Sequence, residues 1–179
     1  IIINLITLAP EGEGALELVS WLDQQGIKIS LGHSIASYDR AVEAFNYGAN
    51  RVAHLYNGMR LFEHRNPGLV GAALIDKRVF AELTLDGIHM HEAAAKLAIL
   101  AKGPEQIVLI TDSMQATGLP DGEYIRPGNR KISVINGEAR LENGSLAGSV
   151  LTLDKAVRYA ILELDVGIAS AINMATFNV

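Results

Sequence analysis

The sequence predicts an α/β fold of parallel strand–helix units of the barrel kind, and three observations carry that prediction. Short runs rich in β-branched residues alternate with segments of helical period. A glycine closes each of the first helical segments, at Gly26, Gly48 and Gly103. A histidine or a carboxylate follows each apolar run.

Residues 1–8 form the first run, a strand expected to be buried on both faces. Residues 15–25 place Leu16, Val19, Trp21 and Leu22 near helical spacing and stop at Gly26. A strand at 27–31 precedes a helix at 38–47, where Ala41, Val42 and Phe45 make one stripe. Strands at 51–54 and 79–85 come next, then a helix at 92–102 ended by Gly103-Pro104, then a strand at 107–111. Strand–helix alternation of this kind implies right-handed parallel connections.

After Thr111 the rhythm changes. Residues 118–128 are turn-rich, with Pro120-Asp121-Gly122 and Pro127-Gly128. Strands at 131–135 and 138–141 flank Asn136-Gly137, a pair suited to a two-residue hairpin turn. A Gly/Ser loop at 143–149 leads to a closing helix at 151–164. One domain over residues 1–179 is expected, with the hairpin at about 119–145 as a flap over a site.

Composition removes several function classes. An apolar share of 49% with 20% charged residues suits a core-forming chain and excludes disorder. A formal charge of −5 leaves no broad cationic surface for nucleic acid or an anionic membrane. With no cysteine, disulfides, thiolate nucleophiles and thiolate zinc sites are excluded. No apolar run approaches the ~20 residues of a membrane-spanning helix, so a cytoplasmic location is expected. The chain opens inside an apolar run without Met and ends without a polar tail, as a piece of a longer chain would.

The chemistry sits at the predicted strand ends. Glu11 follows the first strand, His33 the second, His54 the third, Asp86 and His89 the fourth, and Asp112 the fifth. Carboxyl ends of parallel strands converge on one face, where α/β barrels keep their active sites. Imidazole nitrogens suit zinc or iron, and an open coordination position holds a water. The residues alone lead to a metal hydrolase on a barrel, with a hydrogen-bonded structural role for each histidine as the competing reading.

Six segments occur in a fixed order: Ile6-Thr7-Leu8-Ala9-Pro10-Glu11, Gly32-His33-Ser34, His54-Leu55-Tyr56-Asn57-Gly58-Met59, Asp86-Gly87-Ile88-His89, Thr111-Asp112 and Leu146-Ala147-Gly148-Ser149. Together they resemble the N-acetylglucosamine-6-phosphate deacetylase family of the amidohydrolase superfamily, over essentially the whole chain. The segment from His54 to Met59 is the most specific part. The resemblance implies a TIM-type (β/α)8 barrel of the metal-dependent hydrolase kind, of which this chain holds about strands 4–8 with a β-hairpin inserted after the last. It implies that the earlier strands and most of a small β-sandwich are missing.

The same resemblance implies metal-dependent removal of acetate from N-acetyl-D-glucosamine 6-phosphate, giving D-glucosamine 6-phosphate in amino-sugar catabolism. His33 and His54 then match metal ligands, and Asp112 matches the catalytic acid and base. His89 and Arg65 match positions that engage the sugar phosphate, and Asn57 and Gly58 contact the same end of the substrate. Leu146, Ala147 and Gly148 match a loop lining the sugar site. The position of Gly58 is usually Ala in this motif. The implied cofactor is a divalent metal, zinc or iron first and manganese or cobalt after; the implied partners are the phosphosugar and a second subunit in a homodimer.

Glu11 looks like a third ligand, but the family's ligand glutamate lies in a Leu-Glu-Gly-Pro segment that this sequence lacks. Glu11 is therefore expected to be a structural or helix-entry carboxylate. Asp86 is expected either to orient His89 or to cap the next helix; His64 to be solvated; His91 to open a helix; and Tyr56 to pack. Two further readings stand beside the deacetylase: another amidohydrolase, dihydroorotase-like or deaminase-like, and a catalytically silent fragment that binds a sugar phosphate.

Overall fold

Five short strands pair in parallel and in sequence order: β1 (Leu5–Leu8), β2 (Lys28–Leu31), β3 (Arg51–Val52), β4 (Phe80–Leu83) and β5 (Ile107–Leu109). They belong to a computed structural model that describes residues 2–126 and 128–179. Ile1, in the first predicted strand, and Pro127, in the second turn signal, lie outside the described residues. Helices α1 (Ala15–Gln24), α2 (Tyr38–Asn46), α3 (Gly68–Ile75) and α4 (Glu92–Lys102) connect the strands, and α5 (Leu153–Leu162) and α6 (Ile168–Ala175) follow. Among the described residues no helix is long and apolar enough to cross a membrane.

The register aligns Thr7 with Ser30, Ser30 with Arg51, Val52 with Ala81 and Glu82 with Val108. Alternation along each strand then separates two faces. Ile29, Leu31, Val52, Leu83, Ile107 and Leu109 join one core with Leu16, Val19, Leu22, Phe45 and Leu69 from the helices. Between them Ser30, Arg51, Glu82 and Thr84 are buried. Burial on both faces, as expected, holds for β5 and for most of β2, β3 and β4, but in these three the second face is largely polar. Strand β1 departs from the expectation, with Leu5 and Thr7 exposed. The Arg51 guanidinium lies 5.4 Å over the Phe80 ring. Burial raises the Glu82 carboxyl above its ordinary range, against the charge of Arg51 and a hydrogen bond from Ser30.

Helices α1, α2, α4 and α5 fall where the sequence periodicity predicts them, within a residue or two at each end. Helix α3 does not announce itself. Every residue from Gly68 to Leu74 is buried, so the helix has no polar face and its sequence carries no amphipathic period.

The second sheet is a three-stranded antiparallel meander rather than a two-stranded hairpin: β6 (Gly122–Arg126), β7 (Arg130–Ile135) and β8 (Glu138–Leu141). The turn at Asn136 and Gly137 has φ of 53° and 82°, the left-handed pair that a tight hairpin needs. Ile132, Val134 and Ala139 form a small core with Met114, Ala116 and Ala147.

Candidate active site

Each of β2, β3 and β5 ends with the same backbone event. His33, His54 and Asp112 lie just past these strands at φ of 48°, 30° and 50°. Non-glycine residues avoid this region, at roughly 1–3 kcal/mol each. Such a cost is tolerated where the surrounding structure fixes the turn, and it bends the chain sharply out of the strand direction. Three of the residues singled out for chemistry share it.

The two histidine rings meet edge to face, with centroids 4.6 Å apart and planes at 81°. Their Nε2 atoms are 3.0 Å apart. His54 Nδ1–H donates to the carbonyl of Asn57 at 3.0 Å. A carbonyl accepts only, so Nδ1 carries a proton in this bond, and in the neutral ring Nε2, the nitrogen facing His33, is the one with the lone pair. The turn is closed by Asn57 N–H donating to the carbonyl of His54 at 2.9 Å. On the far side Gly58 packs against the His33 ring: a Cβ there would sit 2.9 Å from Nδ1, at φ of 61°. Glycine allows that approach.

This pair fits two ligands of one metal ion. Nitrogens ~2.0–2.1 Å from a common ion and at roughly 90–110° about it lie about 3 Å from each other. Among the described residues no group of three or more metal-ligating side chains forms. Glu11 stays out of the pair. Its Oε2 accepts from the Ser34 hydroxyl at 2.6 Å and its Oε1 from Ile35 N–H at 2.7 Å. Helix α1 has Gly14 at its N-cap with no side-chain cap bond, so the helix-entry role is not what Glu11 performs.

Asp86 orients His89. His89 Nδ1–H donates to Asp86 Oδ2 at 2.6 Å, and the other carboxylate oxygen accepts from Ile88 N–H and His89 N–H. Both side chains are buried. The Asp86 hydrogen bond and the charges of Asp86 and Asp112 outweigh burial and raise the His89 pKa above its ordinary value. Burial pushes the Asp86 carboxyl up, and the bonds from His89 and Ile88 bring it below its ordinary value. The helix cap falls to His91, whose Nδ1 accepts from Ala93 N–H at 3.1 Å. Tyr56 packs against the main core and donates weakly to the Ala94 carbonyl at 3.4 Å.

Asp112 is exposed, and its backbone is tied to the loop after the meander. Ser149 N–H donates to the Asp112 carbonyl at 2.8 Å. Ser149 Oγ–H donates to the Thr111 carbonyl. Gly148 has φ of 72°, and a Cβ there would come within 3.0 Å of the Asp112 carbonyl oxygen. Leu146 bridges to Arg140, and Ala147 is buried in the meander core. The loop of Leu146, Ala147 and Gly148 therefore stands beside Asp112. Arg65 and His64 lie exposed on the Glu63–Asn66 turn, without a hydrogen bond or ion pair among the described residues. One role escaped the sequence, the Glu11 bridge to Ser34 and Ile35; for Asp86 the sequence left two roles open, and the structure shows the one on His89.

No family model matches the chain. It is 45% identical over 176 residues to an N-acetylgalactosamine-6-phosphate deacetylase of Escherichia coli O157:H7, covering 98% of this chain and 46% of that protein. It is 44% identical over 176 residues to an N-acetylglucosamine-6-phosphate deacetylase of Lysinibacillus sphaericus, covering 98% of this chain and 45% of that protein. The chain thus spans a little under half the length of these relatives. A shorter protein of Escherichia coli K12, provisionally named an N-acetylgalactosamine-6-phosphate deacetylase, is 47% identical over 125 residues, 70% of this chain and 74% of its own length. The crystal structure of N-acetylglucosamine-6-phosphate deacetylase from Thermotoga maritima matches with a TM-score of 0.92 at 35% identity, over 98% of this chain and 48% of that one. With this agreement in sequence and fold, the chain belongs to the N-acetylglucosamine-6-phosphate deacetylase family.

Proposed function

We propose that the protein removes acetate from N-acetyl-D-glucosamine 6-phosphate, releasing D-glucosamine 6-phosphate in amino-sugar catabolism. The observation that carries this reading is the His33–His54 pair, with Nε2 atoms 3.0 Å apart at the ends of adjacent strands. His33 and His54 would hold a divalent metal, with zinc or iron suiting the imidazole donors first and manganese or cobalt after. When bound, such an ion acidifies a water and polarises a carbonyl.

The chain's own residues do the rest. Asp112 takes the proton of the attacking water and returns it to the departing amine. His89, held by Asp86, donates to the sugar phosphate, and Arg65 adds a planar cation suited to the same group. Asn57 and Gly58 contact that end of the substrate, and binding at a distance from the acetamide aligns it for attack. Leu146, Ala147 and Gly148 line the sugar, and the meander forms a flap within one domain. The five parallel strands are read as part of a TIM-type (β/α)8 barrel, supported by the match to the Thermotoga maritima enzyme. A cytoplasmic homodimer completes the reading.

A second substrate is favoured by a specific observation. The relatives named for the galactosamine and the glucosamine sugars are 45% and 44% identical to this chain. Acetate release from the two N-acetylhexosamine 6-phosphates, compared as kcat/KM, decides between them. Faster turnover of the galactosamine substrate moves the assignment, and turnover of neither removes it.

A further inference from the structure

We propose that Glu11 is a positioning residue for His33: its carboxylate fixes the turn that sets the left-handed backbone of this metal ligand and so the direction of its ring. The inference rests on reading His33 and His54 as metal ligands.

The two rings are held in different ways. His54 is buried, and its Nδ1–H is anchored on the Asn57 carbonyl. His33 is exposed, and among the described residues its Nδ1 makes no hydrogen bond, lying where a Cβ on Gly58 would come within 2.9 Å of it. With no hydrogen bond on Nδ1, the ring is placed by its backbone together with its contact to His54. That backbone stands at φ of 48°, which an L-residue keeps only when its neighbours are held.

Both neighbours are held. On the N-terminal side Gly32 N–H donates to the Leu8 carbonyl at 3.1 Å, continuing the β1–β2 ladder. On the C-terminal side Glu11 takes two bonds, from the Ser34 hydroxyl at 2.6 Å and Ile35 N–H at 2.7 Å. Ser34 is fully buried, and its oxygen also accepts from Ala36 N–H at 3.0 Å, so its single proton is committed to Glu11. The Ser34 carbonyl accepts from Arg60 N–H at 3.1 Å, which ties the turn to the segment following His54.

Glu11 is itself secured as a carboxylate. Burial pushes its pKa up, but the bonds from Ser34 and Ile35 and the charge of Arg40 carry it below the ordinary value. Arg40 Nε–H also donates to the Pro10 carbonyl at 2.8 Å, fixing the residue before Glu11. Ionised acceptors make the shorter and stronger hydrogen bonds, as the 2.6 and 2.7 Å distances show. A group that orients a metal ligand in this way is worth about 10–100-fold in metal affinity.

The test is a competition titration of zinc(II) alone against a chromogenic chelator, on the full protein and its variants, with thermal unfolding of each metal-free form. His33→Ala and His54→Ala serve as benchmarks and should each lose more than about 100-fold in affinity. Glu11→Ala should lose about 10–100-fold, Ser34→Ala less, and Glu11→Gln, which keeps one accepting oxygen, should recover much of the loss. Wild-type zinc affinity in Glu11→Ala beside weak binding in the benchmarks overturns the inference and leaves the metal site standing, whether or not the unfolding midpoint falls. Wild-type affinity in both benchmarks overturns the metal reading and this inference with it. Should Glu11→Ala not fold, Ser34→Ala and Glu11→Gln decide: wild-type affinity in both overturns the proposal, and a graded loss supports it.

Discussion

Nε2 of His33 and Nε2 of His54 face each other at 3.0 Å, from strands that are neighbours in the sheet and one helix apart in the sequence. Parallel register brings this about. Leu31 pairs with Val52, and each histidine follows its strand by two residues, so the two turns begin level. The left-handed φ at both positions sends the chain sideways, and the side chains meet above the strand ends.

Asp112→Asn should lower kcat by about 10²–10⁴-fold, the usual worth of a positioned acid and base, while metal content stays at the wild-type level. Steady-state kinetics with metal analysis of the same sample checks both halves. An unchanged kcat assigns the proton transfers to another group.

Arg65→Ala should raise KM for the phosphorylated sugar by about 10-fold or more, from the loss of a charge-assisted contact, and leave the unphosphorylated N-acetylhexosamine unaffected. Arg65 lies exposed without a partner among the described residues, so truncation strands nothing in the fold. Equal changes on both sugars would remove Arg65 from the phosphate site.

Asp86→Asn should lower the pKa of His89, read from the pH dependence of its imidazole resonances. His89 titrates above its ordinary 6.5 in the fold, so its contribution to stability is complete below that value and is lost as pH rises through the folded pKa. Asp86 titrates below its ordinary 3.8, so its contribution is present above that value and is lost as pH falls through the folded pKa. The pair therefore stabilises most between these limits. The variant should lose stability most there; equal loss at every pH would show that the charge pair adds nothing.

Gly71→Ala should destabilise the fold although alanine is the better helix former by about 1 kcal/mol. The added methyl would stand 2.3 Å from Pro67 Cβ and 3.3 Å from the Phe62 ring. Overpacking of that kind costs about 1–3 kcal/mol and exceeds the propensity gain. A raised unfolding midpoint would show that the start of α3 yields freely.

Where local sequence sets structure, the fold could be read in advance. The five strands, the glycine stops and the Asn136-Gly137 turn all depend on a few adjacent residues, and so do the positions of His33, His54 and Asp112 at strand ends. Helix α3 was hidden because burial on all sides erases the period that marks a surface helix. The polar face made by Ser30, Arg51, Glu82 and Thr84 needs the register of several strands at once. Glu11 reaches a turn more than 20 residues away in sequence. No local pattern encodes that contact. The Asp86–His89 bond was one of two geometries open to the same spacing, and the other was taken by His91.

Anomalous diffraction at the zinc edge, from crystals of the zinc-loaded full protein, tests the metal centre most directly. The account predicts a peak ~2.0–2.1 Å from Nε2 of both His33 and His54, with the His54 Nδ1 bond to the Asn57 carbonyl kept. A stoichiometric zinc bound elsewhere, with the two imidazoles uncoordinated, would contradict it.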